Sequence, residues 1–401
     1  MHKAGLRPVP FEPYSAVFAA DPYPCYAALR ERSPVFHAAE FGMTFLTRYR
    51  DIFGALTDKR LGRAVPAAAV PTSPELLPNY ERYVRVNLLE TEGDTHARLR
   101  RLLARALSPK RVAGLQSRVQ QIAESVVERL APGVEVDFIA DVAEPLPVVV
   151  ISELLGWPAE ERHRLRPWSA DIVRLYEKDA MDDDAKRAEA ACREFAGMLD
   201  ALAAERKAAP ADDFISALAA LEDEPDGLSR DELISSCMLL LNAGHEATVN
   251  AAGNGLLALL RHPHAMRKLR EEPRLIGGAV EEMLRYDPPL HLFHRYAYEE
   301  IDIEGHVIPQ GGKVGLLYGS ANRDPDIFPE PDRFDIARNP NRHLAFGAAT
   351  HFCLGAPLAR LELRTLFGTL LTMTHSLELC EEPEYHLGLV FRGLKRLQVT
   401  L

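Results

Sequence analysis

One cysteine of the chain stands where its sulfur can act as a thiolate. Cys353 lies in the segment 346–355, which reads Phe-Gly-Ala-Ala-Thr-His-Phe-Cys-Leu-Gly and directly precedes a stretch with helical apolar periodicity. A sulfur at a helix N-terminus faces unpaired N–H groups and the positive end of the helix dipole, which lower a thiol pKa and stabilise the anion. Cys353 is therefore a candidate ligand for iron, and the alternative is a buried structural cysteine.

A second set of polar residues interrupts an otherwise apolar segment. Residues 233–260 are nearly all apolar, which predicts a central buried helix, yet Gly244, His245 and Glu246 occupy its middle. A zinc-protease site would need a second histidine at position 249, where the chain has Val249. The segment thus offers a buried acid beside a mid-helix glycine, without that zinc motif.

Two further charge pairs have helical spacing. Glu282 and Arg285 lie three apart, which suits an ion pair on one helix face, and His96 and Arg100 lie one turn apart. The Glu-x-x-Arg spacing also occurs at Glu161 with Arg164 and at Glu271 with Arg274. Spacing alone therefore does not distinguish a functional pair from a solvated one.

Composition limits the class of partner and compartment. The chain has 401 residues, 58 acidic against 47 basic and a net charge of -11, which disfavours binding to nucleic acid or anionic membranes. Five cysteines without CxxC spacing fit neither a disulfide framework nor a zinc site and suit a reducing compartment. We see no signal-like N-terminus and no apolar run of about 20 residues, so we expect an unanchored cytoplasmic protein.

Helical patterns dominate, with strand-like runs towards both ends. We expect helices over 95–107, 112–130, 185–208, 230–260, 275–286 and 355–373, and strands over 34–37, 43–47, 301–308, 313–318 and near 387–401. The segment 62–78, rich in Ala, Pro and Val, is expected to be a long loop with a lid or binding role. This pattern predicts one mainly α domain over 1–401 with small β-sheets.

The cysteine segment resembles the ligand loop of cytochromes P450, written FGxGxHxCxG. The matching residues are Phe346, Gly347, His351, Cys353 and Gly355. Ala349 stands where the family usually has glycine, and if that position needs an unusual backbone conformation, alanine costs on the order of 1 kcal/mol there. The resemblance extends from about Asp21 to Leu401.

Two more segments resemble this family. Residues 279–288 are similar to its K helix, and the Asn322-Arg-Asp-Pro and Phe328-Pro-Glu-Pro-Asp-Arg-Phe-Asp segments follow at family spacing. The resemblance implies that Glu282, Arg285 and Arg333 form a structural network.

The resemblance also implies a fold with a long central helix over haem b, held by a cysteine thiolate. Cys353 would donate electron density that favours O–O cleavage, and Phe346 would cover the proximal haem face. The residues implied to pair with haem propionates are His96, Arg100, Arg295 and His351.

Residues 243–248 resemble the oxygen-activating AGxET motif, with one departure. Gly244 would open a groove for O2 and Glu246 is the acid, but the usual threonine is Ala247, and Thr248 is turned by roughly 100° around the helix. Either a hydroxyl or amide of the substrate completes proton delivery, or coupling is poor and peroxide escapes. A third interpretation is that Ala247 only enlarges the pocket and water alone carries the protons.

The expected activity is insertion of one oxygen atom from O2 into a largely apolar organic substrate. The resemblance assigns the pocket to Leu239, Asn242, Ala243, His291, Phe293 and Val390, with Asn242 and His291 as candidates for a substrate heteroatom. The alternatives are a peroxide-driven haem-thiolate peroxygenase and a non-catalytic haem-thiolate ligand-binding protein.

Electrons must come from another protein, because the chain shows no nucleotide-binding glycine cluster and no cysteine cluster. We expect a ferredoxin and its reductase, so that NAD(P)H acts only indirectly, and a monomeric enzyme. Basic residues expected near the proximal haem face are Arg101, Arg105, Lys110, Arg111, Arg360 and Arg364.

Overall fold

A computed structural model describes residues 9–66, 77–130, 133–177 and 180–400, and helices make up most of these ranges. The helices are α1 (Ala16–Ala20), α2 (Tyr23–Arg32), α3 (Tyr49–Thr57), α4 (Pro78–Tyr83), α5 (Gly93–Ala106), α6 (Pro109–Gly114), α7 (Gln116–Val127), α8 (Pro145–Leu155), α9 (Leu165–Val173), α10 (Asp182–Ala208), α11 (Phe214–Leu221), α12 (Arg230–Arg261), α13 (Pro263–Glu271), α14 (Ile276–Tyr286), α15 (Tyr318–Ala321) and α16 (Ala356–Met373). A π-helical turn, Ile139–Ala143, precedes α8.

The strands form three small sheets. They are β1 (Val35–Ala38), β2 (Met43–Leu46), β3 (Leu61–Gly62), β4 (Glu135–Asp137), β5 (Leu292–Ala297), β6 (Ile301–Ile303), β7 (His306–Ile308), β8 (Lys313–Leu317), β9 (Glu378–Leu379) and β10 (Gln398–Thr400). The largest sheet has the order β1-β2-β8-β5-β3, in which only β2 and β8 run parallel. The others are β4-β10-β9 and the hairpin β6-β7.

Helix α12 is the centre of the molecule. It begins with a capping box in which the Ser229 hydroxyl accepts the Glu232 N–H while the Glu232 carboxylate accepts the Ser229 N–H. Most of its side chains are buried, and α8, α9, α10, α14 and α16 all pack on it. A helix apolar on nearly every side can only be stable in such a surrounding. The prediction of a mainly α domain with small sheets is confirmed.

Differences from the expected elements have local causes. The helix expected over 112–130 is two helices, because the chain turns at Gly114 and Leu115. The run 301–308 is a hairpin, since Glu304 and Gly305 both have positive φ, as a two-residue hairpin turn requires. Of the loop expected over 62–78, residues 67–76 lie outside the described residues. In the described ranges no helix combines the length and apolarity needed to cross a membrane.

Candidate active site

The loop before α16 holds Cys353 by backbone geometry. Gly347 and Ala349 both have positive φ, 66° and 56°, and a 3-10 turn follows over Ala349–His351. The N–H of Cys353 donates to the Phe346 carbonyl at 2.9 Å, which closes the loop just before the helix. Ala349 thus adopts the left-handed conformation that favours glycine, and the strain anticipated from the sequence at this position is present.

Cys353 is accessible at its surface but is closely surrounded by protein. The residue has accessible surface, yet surrounding protein is dense enough that burial raises the pKa of its thiol. The N–H groups of Gly355 and Ala356 donate to the sulfur and lower its pKa, and the positive charges of Arg100 and Arg360 also lower it. These four contributions oppose the effect of burial. The expected lowering of this pKa by the helix N-terminus is therefore outweighed in the protein itself by desolvation. A bound cation would supply the missing stabilisation of the thiolate.

Two histidines implied to bind propionates lie against each other. The rings of His96 and His351 have centroids 4.3 Å apart, and His351 Nε2 lies 2.8 Å from Glu92 Oε1. Burial, with the neighbouring His351, lowers the pKa of His96 to about 4, and its Nε2 has no hydrogen-bond partner among the described residues. Arg100 donates to the Phe352 carbonyl at 2.8 Å, beside Cys353.

Arg295 completes this set of donors from β5. Its guanidinium is almost fully buried, donates to the His294 carbonyl at 3.0 Å and hydrogen-bonds Tyr318, whose hydroxyl lies beside Gly347. A buried guanidinium, two imidazoles and Arg100 form a donor set suited to two carboxylates, which haem supplies as propionates. In the described ranges no group of three or more His, Cys, Asp and Glu side chains is placed to hold a metal ion. This donor set and the Cys353 sulfur fit a haem, whose iron takes one cysteine ligand from the protein.

Helix α12 exposes a stripe of residues in its middle. The residues of this stripe that retain accessible surface are Leu239, Leu240, Ala243, Gly244, Glu246 and Ala247, whereas Leu241, Asn242, His245 and Thr248 are buried. Such a stripe on the most enclosed helix indicates an interior cavity. Thr248 is buried, so the accessible positions present a carboxyl and apolar groups but no hydroxyl.

Gly244 has a packing reason of its own. A Cβ at this position would lie 3.0 Å from Ile151 Cδ1 on α8, which is tighter than ordinary carbon contacts. The end of the Ile151 side chain therefore lies close to the α12 backbone at Gly244, and a larger residue there would require that side chain to shift. An opening for O2 at Gly244 stays a prediction from the resemblance.

Charged groups from neighbouring helices surround Glu246. Burial raises the pKa of Glu246, the nearby Glu144 carboxylate adds to this, and Arg166 opposes it. Arg166 donates to Glu144 at 2.5 Å, and His245 Nδ1 lies 3.6 Å from Glu246 Oε1. The environment therefore favours the protonated form of Glu246 more than water does.

Two of the residues assigned to the substrate pocket are buried in the structure. His291 is buried beside Tyr26, whose hydroxyl is 3.0 Å from His291 Nδ1, with Asp287 at 3.6 Å on the other ring nitrogen. Asn242 is buried off the accessible stripe. Asn242 Oδ1 has no hydrogen-bond partner among the described residues, and contact of either side chain with a substrate stays a prediction.

The remaining pocket residues are consistent with accessible positions. Leu239 and Ala243 belong to the stripe, and Phe293 and Val390 are half-buried. Phe293 stacks on Tyr318 with centroids 5.9 Å apart, and the Arg63 guanidinium lies 5.3 Å from the Phe293 ring. Phe293 therefore lies next to the Arg295 donor set.

Glu282 and Arg285 form the expected ion pair, but the second guanidinium that contacts Glu282 is that of Arg338 and not that of Arg333. Glu282 and Arg285 are both 0% exposed and form two hydrogen bonds of 2.7 and 2.8 Å. Arg333 contributes only its carbonyl, which accepts from Arg285, while its guanidinium pairs with Glu330 at the surface. The additional guanidinium on Glu282 is that of Arg338, at 3.2 Å. The sequence spacing did not single out Arg338.

The basic residues expected near the proximal face are partly neutralised. Arg105 pairs with Glu224, Arg111 with Asp212, and Arg360 and Arg364 lie within 4 Å of Glu281. Positive charge still outnumbers negative in this set of described residues.

Comparison with known proteins agrees with the fold. The Cytochrome P450 family model matches residues 172–386. The chain is 36% identical to the polyketide biosynthesis cytochrome P450 PksS of Bacillus subtilis (strain 168), covering 98% of each chain. It is 38% identical to the cytochrome P450 monooxygenase PikC of Streptomyces venezuelae, covering 95% of this chain and 91% of that one.

A solved structure is also similar along its whole length. P450BioI, in complex with an acyl carrier protein ligated to hexadec-9Z-enoic acid, superposes with a TM-score of 0.90 at 36% identity, covering 96% of this chain and 100% of that one. The chain therefore belongs to the cytochrome P450 family. It is a P450 monooxygenase, an oxidoreductase of the haem-thiolate type that uses O2.

Proposed function

We propose that Cys353 is the axial thiolate of a haem b whose propionates are held by His96, Arg100, Arg295 and His351. The haem, when bound, supplies reductive activation of O2 with the thiolate favouring O–O cleavage. The protein's part is to hold the sulfur by the Gly355 and Ala356 N–H groups and to orient the carboxylates by buried donors.

We further propose that the substrate supplies a hydroxyl that completes proton delivery. The observation that carries this is the accessible stripe of α12, which offers the Glu246 carboxyl but only a methyl group at Ala247. Glu246, whose pKa burial raises, is suited to hold a proton there. A substrate hydroxyl beside Ala247, with water, would take the place of the absent side-chain alcohol.

The substrate is accordingly a largely apolar scaffold that already carries oxygen. The name of PksS refers to polyketide biosynthesis, and P450BioI was solved with a carrier-bound fatty acid. Both relatives support an extended, mostly apolar substrate, and the stripe lined by Leu239 and Ala243 fits such a scaffold.

The decisive experiment compares a hydroxylated substrate with its deoxy analogue in the reconstituted enzyme. Product formed per NAD(P)H consumed should be high for the hydroxylated compound and low for the deoxy analogue, with the difference released as hydrogen peroxide. Ala247→Thr should raise the coupling of the deoxy analogue. Equal coupling of both substrates would contradict the proposal, and loss of coupling in Thr248→Val would assign the hydroxyl to that residue instead.

Two alternatives to reductive turnover make different predictions. A peroxide-driven enzyme, which Ala247 would permit, should turn over with hydrogen peroxide alone as fast as with the full electron supply. A pure binding protein should bind substrate without product.

We propose a ferredoxin as the electron donor, supported by the excess of positive charge around Arg101 and Lys110. The reduction rate should then fall with rising ionic strength and fall further in a Lys110→Glu variant.

A further inference from the structure

Two consecutive glutamates of α14 hold different parts of the chain. Glu282 is enclosed by Arg285 and Arg338, whereas Glu281 faces the cysteine loop and α16. Arg360 donates to Glu281 through Nε at 2.7 Å and Nη2 at 2.8 Å, a bidentate pair that fixes the guanidinium plane.

The same carboxylate also binds the segment that leads into the cysteine loop. His343 Nε2 lies 3.2 Å from Glu281 Oε2. The His343 Nδ1 accepts the Ala345 N–H at 3.2 Å, so Nε2 carries the proton and donates to Glu281. Glu281 therefore connects a residue before Cys353 to one after it.

Arg360 transmits this anchoring to the loop itself. Its guanidinium carbon lies 4.4 Å from the centroid of the Phe346 ring, and the Phe346 carbonyl accepts the Cys353 N–H. Arg360 also acts on the Cys353 sulfur as a positive charge. Burial tends to raise the pKa of Glu281, but hydrogen bonds from Arg360 and His343 outweigh it and lower this pKa to about 2. The pair is thus fully ionised at neutral pH.

We propose that Glu281 is a positioning residue for the thiolate ligand. It holds Arg360 over Phe346 and balances the positive charge that Arg360 places near Cys353, and through both effects it sets the reduction potential of the bound haem. The inference rests on the proposed ligation by Cys353.

The experiment is a spectroelectrochemical titration of the purified holoenzyme and three variants. Glu281→Gln leaves Arg360, and with it Arg364 at 3.7 Å, without its counter-charge, which favours the reduced iron, so its potential should rise. Arg360→Met removes the positive charge, so its potential should fall. The double variant should lie closer to wild type than either single variant, because the two charges cancel in the native protein.

Controls separate charge balance from loss of structure. Glu281→Asp keeps the charge and should stay closer to wild type than Glu281→Gln. Glu194→Gln, which breaks a surface pair with Arg164, makes the same charge change on α10 and should leave the potential unchanged. Shifts of the same sign in Glu281→Gln and Arg360→Met, or no shift in Glu281→Gln, would overturn the inference.

The outcome is distinguishable from failure of the ligation itself. If the wild-type protein lacks the red-shifted Soret band of a carbon monoxide complex, ligation by the Cys353 thiolate is contradicted, and the inference about Glu281 fails with it. A normal wild-type band with unshifted variants would remove only the role of Glu281.

Discussion

Replacing Arg338 should destabilise the protein far more than replacing Arg333. The Arg338 guanidinium is 9% exposed and donates to Glu282 at 3.2 Å and to the carbonyls of Pro329 and Glu330 at 2.8 and 3.1 Å. Hydrogen bonds from a charged group contribute roughly 1.5–3 kcal/mol each, and the exposed carbonyls regain water. We therefore expect Arg338→Met to lower the free energy of unfolding by about 3 kcal/mol.

Arg333→Met provides the matched control. Its side chain is 62% exposed and, among the described residues, pairs only with Glu330 at the surface, so the change should cost no more than about 0.5 kcal/mol. Urea unfolding followed by far-UV circular dichroism should show a midpoint lower by about 1 M for Arg338→Met, with little change for Arg333→Met. Equal midpoints, or a lower midpoint for Arg333→Met, would refute the assignment of the second Glu282 partner.

Two further changes test buried features of the same structure. Burial raises the pKa of Glu362 from its ordinary value of 4.5 to about 8, so stability is highest below the ordinary value and is lost as pH rises towards 8. The urea midpoint should therefore fall from about pH 5 to about pH 8 less steeply in Glu362→Gln than in wild type, and parallel curves would contradict the buried placement. Ala349→Gly should stabilise by about 0.5–1 kcal/mol because φ is 56°, whereas Ala348→Gly, at φ of -152°, should destabilise; the same sign for both would show that the loop is not strained at Ala349.

Local patterns predicted the long elements and the ligand loop. Apolar periodicity and end signals located α12 and α16 within one residue, because both helices depend on burial along their whole length. The loop pattern around Cys353 also specified where an unusual backbone conformation would occur. These features depend on neighbours in the sequence, which a single chain displays.

Features that depend on side-chain direction were harder to predict from the sequence. Asn242 is polar and adjacent to the accessible Ala243, yet one residue of rotation around α12 buries it. The sequence alone does not distinguish Arg333 from Arg338 as a partner of the Glu282 carboxylate. The path of the chain between Pro329 and Asn341 determines that the Arg338 guanidinium contacts it. Glu92 had no motif to mark it, because its contact with His351 joins segments far apart in the chain.

The carbon monoxide difference spectrum of the dithionite-reduced holoenzyme tests the central claim most directly. Ligation by Cys353 predicts a strongly red-shifted Soret band in wild type and its loss in Cys353→Ala, with haem content determined separately for each protein. Absence of that band in folded, haem-loaded wild-type protein, or its persistence in Cys353→Ala, would contradict the account.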